Sequence, residues 1–333
     1  MSLESKIAEF AEEHGIIIGI CGGGPIIEDV GAYGDGSHLS DACICEGGPI
    51  VSVAGRFAAK TPFVKYSAAR RNDPRLTMPG CKSVIVIGAG HKKKFAFTDD
   101  GLPRGVLSQC AIGTDYHIKL KKILLRLKES LSGYADFNCR IFVDTGPLSE
   151  KDLLVKAGLG RRGRNGLVFS EKFGSFFNAG YMLTDLELEP YAESDKPACG
   201  GGQNDTACAS CRLCETSCPG GALKNGVLDH TRCISYLTQK SGAFNERELK
   251  LVGANLYGCD ICREACPRNA GVPAEEIDDI EAARPELTRF IALSEEEFNG
   301  KYADAAFRWR GSTIMKRNAE AALYNIKQQA DGS

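Results

Sequence analysis

The chain has 333 residues, of which 43% are hydrophobic and 25% charged, so it has the composition of an ordinary globular protein with room for two domains. A formal net charge of -2 excludes a broadly polycationic surface of the kind that binds nucleic acid indiscriminately, although it allows local basic patches. No apolar run is long enough to span a membrane, and residues 1–15 are charged and amphipathic, unlike a secretory signal. We therefore expect a cytoplasmic protein without a membrane partner.

Alternating helices and strands are predicted for the first 190 residues, which favours a sheet covered by helices. The predicted elements are, in chain order, a helix over 1–14, a strand over 83–88, a helix over 115–131, a strand over 140–146, a helix over 147–158, and strands at GLVFS and NAGYMLTDLEL. Asp115 is the expected N-cap of the long helix, with His117 in a hydrogen bond at the helix start. The Gly-rich section 22–48 has no predicted element, and we interpret it as a loop or small hairpin with buried free thiols.

Residues after 198 differ in character from those before 190. Cysteines, glycines and turns dominate as far as Asn269, and helix returns after Gly271. Ser294 stands three residues before Glu297, which is the signature of a capping box. We therefore predict an α/β domain over 1–190, a cysteine-rich domain over 198–270 and a helical segment over 271–333.

Fifteen cysteines are unusual for a chain whose thiols stay reduced, and clustered thiols there more often hold metal than form disulfides. Four of them lie in CASCRLCETSCPGGAL, at the spacing C-x2-C-x2-C-x3-C, and Pro219 follows the last. This spacing is typical of 4Fe–4S clusters, whereas zinc modules usually pair two C-x2-C knuckles across a longer gap. In such motifs three cysteines bind one cluster and the fourth reaches a second cluster.

Ligands for a second cluster follow downstream. YGCDICREACPRN supplies three cysteines and a proline, and RCISYL supplies one more. The resulting metal-binding set is Cys208, Cys211, Cys214, Cys218, Cys233, Cys259, Cys262 and Cys266. We assign Cys208, Cys211, Cys214 and Cys266 to one cluster, and Cys218, Cys233, Cys259 and Cys262 to the other. The spacing supports the set of eight, and it leaves open which fourth ligand belongs to which cluster.

Core packing is the default interpretation for the remaining cysteines, because free cysteine is among the most buried residue types. They are Cys21, Cys43, Cys45, Cys81, Cys110, Cys139 and Cys199. Cys110 precedes a polar stretch, so a position facing an active site is the alternative there. About two thirds of the chain lies outside the cysteine-rich region, which indicates an enzyme that consumes electrons rather than a simple carrier.

The order of motifs resembles that of the epoxyqueuosine reductases, which belong with the cobalamin-dependent iron–sulfur reductases. The resemblance rests on the two cysteine motifs, on RCISYLT between them, and on VDTGPLSEKDLLVKAGLGRRGRNGLVF, GSFFNAGYMLTDLEL and RGSTIMKRN, and it covers roughly residues 73–318. It implies an α+β protein with a nitroreductase-like α/β domain, a ferredoxin-like domain with two 4Fe–4S clusters and a short helical tail. Cobalamin would bind base-off between the two domains.

The resemblance also implies site residues. Asp144 in VDTGP matches the family's proton donor beside the cobalamin, where burial against the corrin ring would raise the pKa of its carboxyl. Taken alone, Asp144 would be a turn residue that caps the next helix. Further cobalamin contacts are expected at Gly158, Gly160, Gly163, Asn165, Val168, Ser175, Ser235, Gly258 and Asp260.

The implied reaction is the two-electron reduction of epoxyqueuosine to queuosine in tRNA, a step of tRNA processing. Ferredoxin or flavodoxin would supply the electrons, and the oligomeric state is not predicted. Arginines stand where the family usually carries an aromatic residue and a lysine in the glycine turn. The basic residues that could bind RNA phosphates, bind a small anion or simply face solvent are Arg161, Arg162, Arg164, Arg268 and 92–94.

Two other functions fit the same motifs. One is a related cobalamin reductase of a small molecule, such as a halogenated compound. The other is a non-catalytic electron-transfer protein with two clusters, for which Asp144 would have no role.

Overall fold

A computed structural model of the chain describes residues 2–26, 66–192, 208 and 210–331. The chain divides into two compact units, one formed by Met1–Gly90 and Leu120–Arg212 and the other by His91–Lys119 and Leu213–Ser333. Most of the Gly-rich section 22–48 lies outside the described residues, as do Cys43, Cys45 and Cys199. No helix among the described residues is long and apolar enough to cross a membrane.

Helices and strands are labelled here in chain order. The helices are α1 Leu3–Glu13, α2 Ala68–Asn72, α3 Tyr116–Ser132, α4 Glu150–Lys156, α5 Leu213–Thr216, α6 Ile234–Leu237, α7 Glu246–Val252, α8 Ile261–Glu264, α9 Ile280–Ala283, α10 Leu287–Ala292, α11 Glu295–Lys301 and α12 Gly311–Asp331. The strands are β1 Ile17–Gly22, β2 Ser83–Gly90, β3 Lys93–Phe95, β4 Val106–Leu107, β5 Cys139–Val143, β6 Arg161–Arg162, β7 Val168–Phe169, β8 Phe177–Thr184, β9 Tyr191–Ala192, β10 Leu223–Lys224, β11 Val227–Leu228, β12 Asn255–Tyr257 and β13 Glu275–Ile277.

A five-stranded antiparallel sheet, in the order β5–β8–β2–β1–β9, forms the centre of the first unit. The middle strand, β2, is buried on both faces, and Val84 to Ile87 are 0% exposed. Burial on both faces requires an uninterrupted apolar run, which explains why SVIVIG shows no alternation.

Two helices cover opposite faces of this sheet. Leu124 of α3 packs against β8 at Gly180, where an added Cβ would lie 3.1 Å from the leucine Cδ1. The next residue, Tyr181, belongs to a core cluster that contains Leu153 of α4. Because successive strand residues point to opposite faces, α3 and α4 lie on opposite sides of β8.

The second unit is built mainly from short elements around the long helix α12. Its core joins Leu256 of β12, Phe290 of α10, Phe298 of α11 and Met315 of α12, each 2% exposed or less. Asn318 of α12 is 0% exposed, and its Nδ2 donates hydrogen bonds to the carbonyl oxygens of Thr238 (2.7 Å) and Leu256 (2.8 Å). A buried amide that satisfies two loop carbonyls holds those loops to the helix.

Most elements predicted from the sequence are confirmed. The predicted helices over 1–14, 115–131 and 147–158 correspond to α1, α3 and α4, and the predicted strands correspond to β2, β5, β7 and β8. The Asp115 carboxylate accepts a hydrogen bond from the His117 backbone (2.9 Å), and the capping box at Ser294 is present. Strand β1, which contains Cys21, was not predicted.

Candidate metal and cofactor site

The cysteines of the second unit lie at the ends of short elements, where the backbone turns. Cys214 lies in α5 and Cys218 two residues after its end, Cys233 and Cys266 are N-caps of short helical turns, Cys259 follows β12, and Cys262 lies in α8. Such positions let side chains from distant segments point toward one another. In the first unit, Cys208 and Cys211 directly precede the boundary at Arg212.

Four of these thiols affect one another electrostatically. Burial raises the pKa of Cys233, and the neighbouring Cys218 raises it further. Burial also raises the pKa of Cys259 to about 12, with further contributions from Cys233 and Cys262. These are the four cysteines that the sequence assigns to one cluster. A bound metal stabilises the deprotonated thiolate form of its cysteine ligands. In the protein without metal, burial instead favours the protonated thiol.

A close backbone approach brings the Cys218 loop to the segment that carries Cys233. An added Cβ at Gly220 would lie 2.1 Å from the Arg232 carbonyl oxygen, so only glycine fits there. The Arg232 Nε in turn donates to the Gly220 carbonyl oxygen (2.7 Å). The Ala222 backbone N–H donates to the Cys218 Sγ (3.3 Å), which is the kind of contact that tunes a cluster's reduction potential.

The first set of cysteines has fewer described contacts. Cys214 raises the pKa of Cys262, after burial as the main cause, which places these two thiols near each other. In the first unit, Arg164 donates from its Nε to the Cys208 carbonyl oxygen (3.1 Å). Within the part of the chain that the structure describes, no three His, Cys, Asp or Glu side chains form a group that could hold a single metal ion.

Gly258 and Asp260 flank Cys259 and are fixed by contacts within the second unit. Asp260 is 8% exposed, and its carboxylate accepts hydrogen bonds from the Ser108 hydroxyl (2.9 Å) and the Gln109 backbone (2.6 Å). The Gly258 backbone N–H donates to the Thr238 hydroxyl (3.0 Å). Both residues therefore hold the Cys259 turn in place, a role that the sequence did not reveal.

Replacing Gly258 by alanine should destabilise the second unit strongly. Gly258 has a φ of +73°, and an added Cβ would lie 2.5 Å from the Ser108 Cβ. Strain at positive φ and overpacking each cost about 1–3 kcal/mol. Gly242→Ala is the matched control, because its φ is +80° and no atom lies within 4 Å of the added Cβ. Urea unfolding should show a larger loss for Gly258→Ala, and equal losses would contradict the proposed clash.

Two further residues near Cys262 were not predicted. The Arg263 Nη1 lies 3.2 Å from the Asp260 carboxylate and 3.2 Å from the His91 Nε2. Burial lowers the pKa of His91 well below its usual value, and the positive charges of Arg263 and Lys93 lower it further. A neutral His91 accepts the arginine N–H. The only sequence signal for the role of Arg263 is its position between Cys262 and Cys266, two of the predicted ligands.

Asp144 lies where strand β5 ends. It adopts a φ of +54°, which is uncommon for a residue other than glycine, and the Thr145 N–H donates to the Val143 carbonyl oxygen (2.5 Å) across it. The Asp144 N–H donates to the Glu150 carboxylate (2.5 Å) at the start of α4. The side chain is exposed, so the described residues do not supply the burial that the sequence analysis expected.

The glycine turn after α4 is explained largely by contacts within the first unit. Gly158 and Gly166 have positive φ, and an added Cβ at Gly160 would lie 2.5 Å from the Phe169 carbonyl oxygen. The Asn165 side chain accepts from the Leu167 N–H (3.1 Å). Gly163, Val168 and Ser175 are buried, while Ser235 in the second unit is half-buried.

Several of the basic residues considered for RNA binding have partners within their own unit. Arg162 pairs with Asp152 (2.5 Å), and both side chains are at most 15% exposed. Lys92 donates to the Asn269 carbonyl oxygen (2.6 Å), and Lys94 pairs with Glu276 (3.1 Å). Lys93 pairs with Glu275 and is 4% exposed as a side chain. Residues 92–94 and Arg162 therefore have structural contacts, a role that the sequence analysis did not consider.

Of the described cysteines outside the predicted ligand set, Cys21 and Cys81 are buried in the core, whereas Cys110 and Cys139 are half-buried. Burial raises the pKa of Cys21 to about 11 and also raises the pKa of Cys81 and Cys139, so these thiols stay protonated and unreactive. Cys110 lies 3.5 Å from the Ser108 hydroxyl, and burial raises its pKa as well.

Comparison with known proteins places this arrangement in a class and then in a family. A model described as "4Fe-4S double cluster binding domain" matches residues 207–269, so the class of this chain is that of proteins with two iron–sulfur clusters. A model described as "Epoxyqueuosine reductase QueG, DUF1730" matches residues 71–145. The chain belongs to the epoxyqueuosine reductase family, as its relatives establish.

Curated relatives agree over most of the chain. The epoxyqueuosine reductase of Staphylococcus aureus is 34% identical over 274 residues, which are 80% of this chain and 70% of that protein. The Escherichia coli enzyme is 34% identical over 265 residues, covering 77% of this chain and 67% of that protein.

Solved structures share the mixed helix and sheet fold. Epoxyqueuosine reductase from Streptococcus thermophilus matches with a TM-score of 0.82 and 29% identity, covering 98% of this chain and 82% of that chain. An epoxyqueuosine reductase solved with an epoxyqueuosine-modified tRNA-Tyr stem loop matches with a TM-score of 0.82, 27% identity and the same coverage. The Bacillus subtilis enzyme, solved with its catalytic aspartate loop swung out of the active site, matches with a TM-score of 0.81 and 26% identity, covering 98% of this chain and 82% of that chain.

Proposed function

We propose that this protein reduces epoxyqueuosine to queuosine in tRNA, using two 4Fe–4S clusters and cobalamin. The observation that carries the proposal is the set of cysteine motifs within the double-cluster domain of a chain from this family. The reaction removes the epoxide oxygen. Two electrons and two protons convert the epoxide into an alkene and water.

The eight cysteines of the two motifs are the proposed cluster ligands. The electrostatic coupling that links Cys218, Cys233, Cys259 and Cys262 supports their assignment to one cluster, and the coupling of Cys262 to Cys214 brings a cysteine of the other set close to it. The remaining four, Cys208, Cys211, Cys214 and Cys266, would then hold the other. In this assignment each motif supplies the fourth ligand of the other motif's cluster. This arrangement keeps the two clusters close enough for electrons to pass between them one at a time.

Cobalamin, when bound, would supply a low-valent cobalt that donates electrons to the epoxide, which amino-acid side chains cannot do. The nitroreductase-like character of the first unit and its cobalamin contacts come from the family resemblance. Gly158 and Asn165, which are half-buried residues of the glycine turn, are the proposed residues of this set that meet the ligand. Gly160 fixes the backbone of the glycine turn in the first unit, and Gly258 and Asp260 fix the Cys259 turn in the second.

Asp144 is the proposed proton donor for the departing oxygen. Its left-handed backbone at the end of β5 holds the carboxyl outward instead of along the strand. Strained backbone of this kind is concentrated at functional sites because the surrounding structure must maintain it. The mobile aspartate loop of the Bacillus subtilis relative supports a loop that delivers the acid.

The tRNA substrate is supported by the relative solved with a modified stem loop. The proposed electron donor is an external reductant such as a ferredoxin or flavodoxin, which can deliver electrons to the clusters one at a time. A cytoplasmic location accords with both partners.

The function is tested with anaerobically reconstituted protein, cobalamin, a chemical reductant and an RNA stem loop that carries epoxyqueuosine. We expect mass spectrometry of the digested RNA to show queuosine, with the loss of one oxygen. A protein that holds both clusters and a corrin but leaves epoxyqueuosine unchanged would remove this substrate and favour a small-molecule reductase. A protein that never acquires a corrin would defeat both enzymatic alternatives.

A further inference from the structure

We propose that Trp309 is a stacking platform for an unpaired base of the tRNA loop, with Arg308 and Arg310 as its cationic flanks. This inference rests on the proposed function and adds to it a surface of the second unit that recognises the RNA. The surface, called here the Trp309 platform, consists of Arg308, Trp309, Arg310 and the supporting Tyr257.

The indole of Trp309 is both fixed and accessible. Its Nε1 donates a hydrogen bond to the Tyr257 hydroxyl (2.9 Å), which holds the orientation of the ring. The residue is nevertheless 55% exposed, the same fraction as Leu76 and second only to Tyr134 among the exposed large hydrophobic side chains of the described residues. An oriented aromatic face in contact with water loses little entropy on stacking a base, because its rotamer is already set.

The neighbouring arginines give the platform a positive charge. The Arg310 guanidinium lies over the indole, 4.6 Å from the ring centroid, and its buried Nε has no hydrogen-bond partner among the described residues. Arg308 is exposed, and its Nη1 donates to the Ala303 carbonyl oxygen (3.2 Å). A flat guanidinium stacked on an aromatic ring, with a second cation beside it, suits a base and its phosphate.

The Trp309 platform includes a residue that lies close in sequence to the proposed cluster ligand Cys259. Tyr257 ends β12, and Cys259 follows two residues later, so the residue that fixes the indole is part of the same rigid turn. Sequence-specific proteins recognise RNA mainly through single-stranded loops with splayed bases, and the RNA bound by the solved relative is a modified stem loop. A neighbouring loop base on Trp309 would therefore help position the RNA for reaction.

The test uses the fact that Trp309 is the single tryptophan of the chain, so its fluorescence reports on this surface alone. Reconstituted protein is titrated with an epoxyqueuosine-containing RNA stem loop, and binding is measured independently by anisotropy of labelled RNA. We expect tryptophan quenching with the same midpoint as the anisotropy. Trp309→Ala should weaken RNA binding about 5- to 100-fold, and Trp309→Phe, which retains an aromatic face, should weaken it less.

Tyr324→Ala is the matched control, because Tyr324 is also an exposed aromatic residue of the second unit, at 48%. It should leave RNA affinity unchanged, and iron content should be equal in all variants. RNA that binds without quenching and with equal affinity for Trp309→Ala would overturn the platform while the proposed function stands. Normal RNA affinity with slower cluster reduction by flavodoxin would assign the surface to the electron donor and also overturn it. No RNA binding by the unaltered protein would remove both proposals.

Discussion

Replacing Asp144 by asparagine is expected to lower the rate of epoxide reduction by about 10²- to 10⁴-fold, the usual contribution of a general acid. Asparagine cannot supply the proton, yet it tolerates the left-handed backbone that Asp144 adopts at φ +54°. The hydrogen bond from the Asp144 backbone N–H to Glu150 does not involve the Asp144 carboxyl, so it would remain. The variant should therefore fold, bind RNA and retain both clusters while single-turnover reduction becomes slow.

Asp136→Asn is the control for Asp144→Asn. Asp136 is exposed and lies shortly before β5, and it has no proposed role. Its replacement should leave the rate unchanged. A normal rate for Asp144→Asn, measured at saturating RNA, would rule out Asp144 as the proton donor and favour a role in the turn alone.

Single replacements of the cluster ligands should divide into two groups according to the cluster that is lost. Cys218→Ser and Cys259→Ser should remove the same electron paramagnetic resonance signal, and iron should fall from about eight to about four atoms per chain. Cys214→Ser and Cys266→Ser should remove the other signal. Loss of either cluster should abolish turnover, because electrons no longer reach the reaction site.

The grouping is informative because the proposed fourth ligands are exchanged between the motifs. Pairing of Cys218 with Cys214 in the same group would mean that each motif completes its own cluster. Cys139→Ser, which alters a half-buried thiol in β5, should keep both signals and the full iron content. Purified protein that contains zinc in place of iron would contradict the whole assignment.

Strong local patterns made much of the fold predictable. The apolar period of α3 and the β-branched run of β2 are visible in the sequence because each element buries a repeating set of side chains. Strand β1 was not predicted, because IIGICG is uniformly apolar and adjoins glycines. It therefore shows neither the alternation of a half-buried strand nor the period of an amphipathic helix. The parallel pairs β3–β13 and β4–β12 were not predicted either, because each joins very short segments more than 140 residues apart.

The candidate site was predictable only where chemistry imposes a spacing. Three thiols around one face of a cluster must recur at short intervals, so the ligand motifs are readable. The contacts of Asp260 with Ser108 and Gln109 leave no such pattern, because the partners are about 150 residues apart. The ion pair of Lys93 was not predictable for the same reason, because its partner Glu275 lies far along the chain.

Asn318 has a consequence for how the protein loses its metal. Its amide ties α12 to Thr238 and Leu256, which lie five residues after Cys233 and three residues before Cys259. Heating that unwinds α12 must break both of these hydrogen bonds. It therefore loosens at the same time the two loops that carry the proposed ligands Cys233 and Cys259. Bleaching of the cluster's brown colour and the disappearance of helical circular dichroism should thus occur at a common temperature.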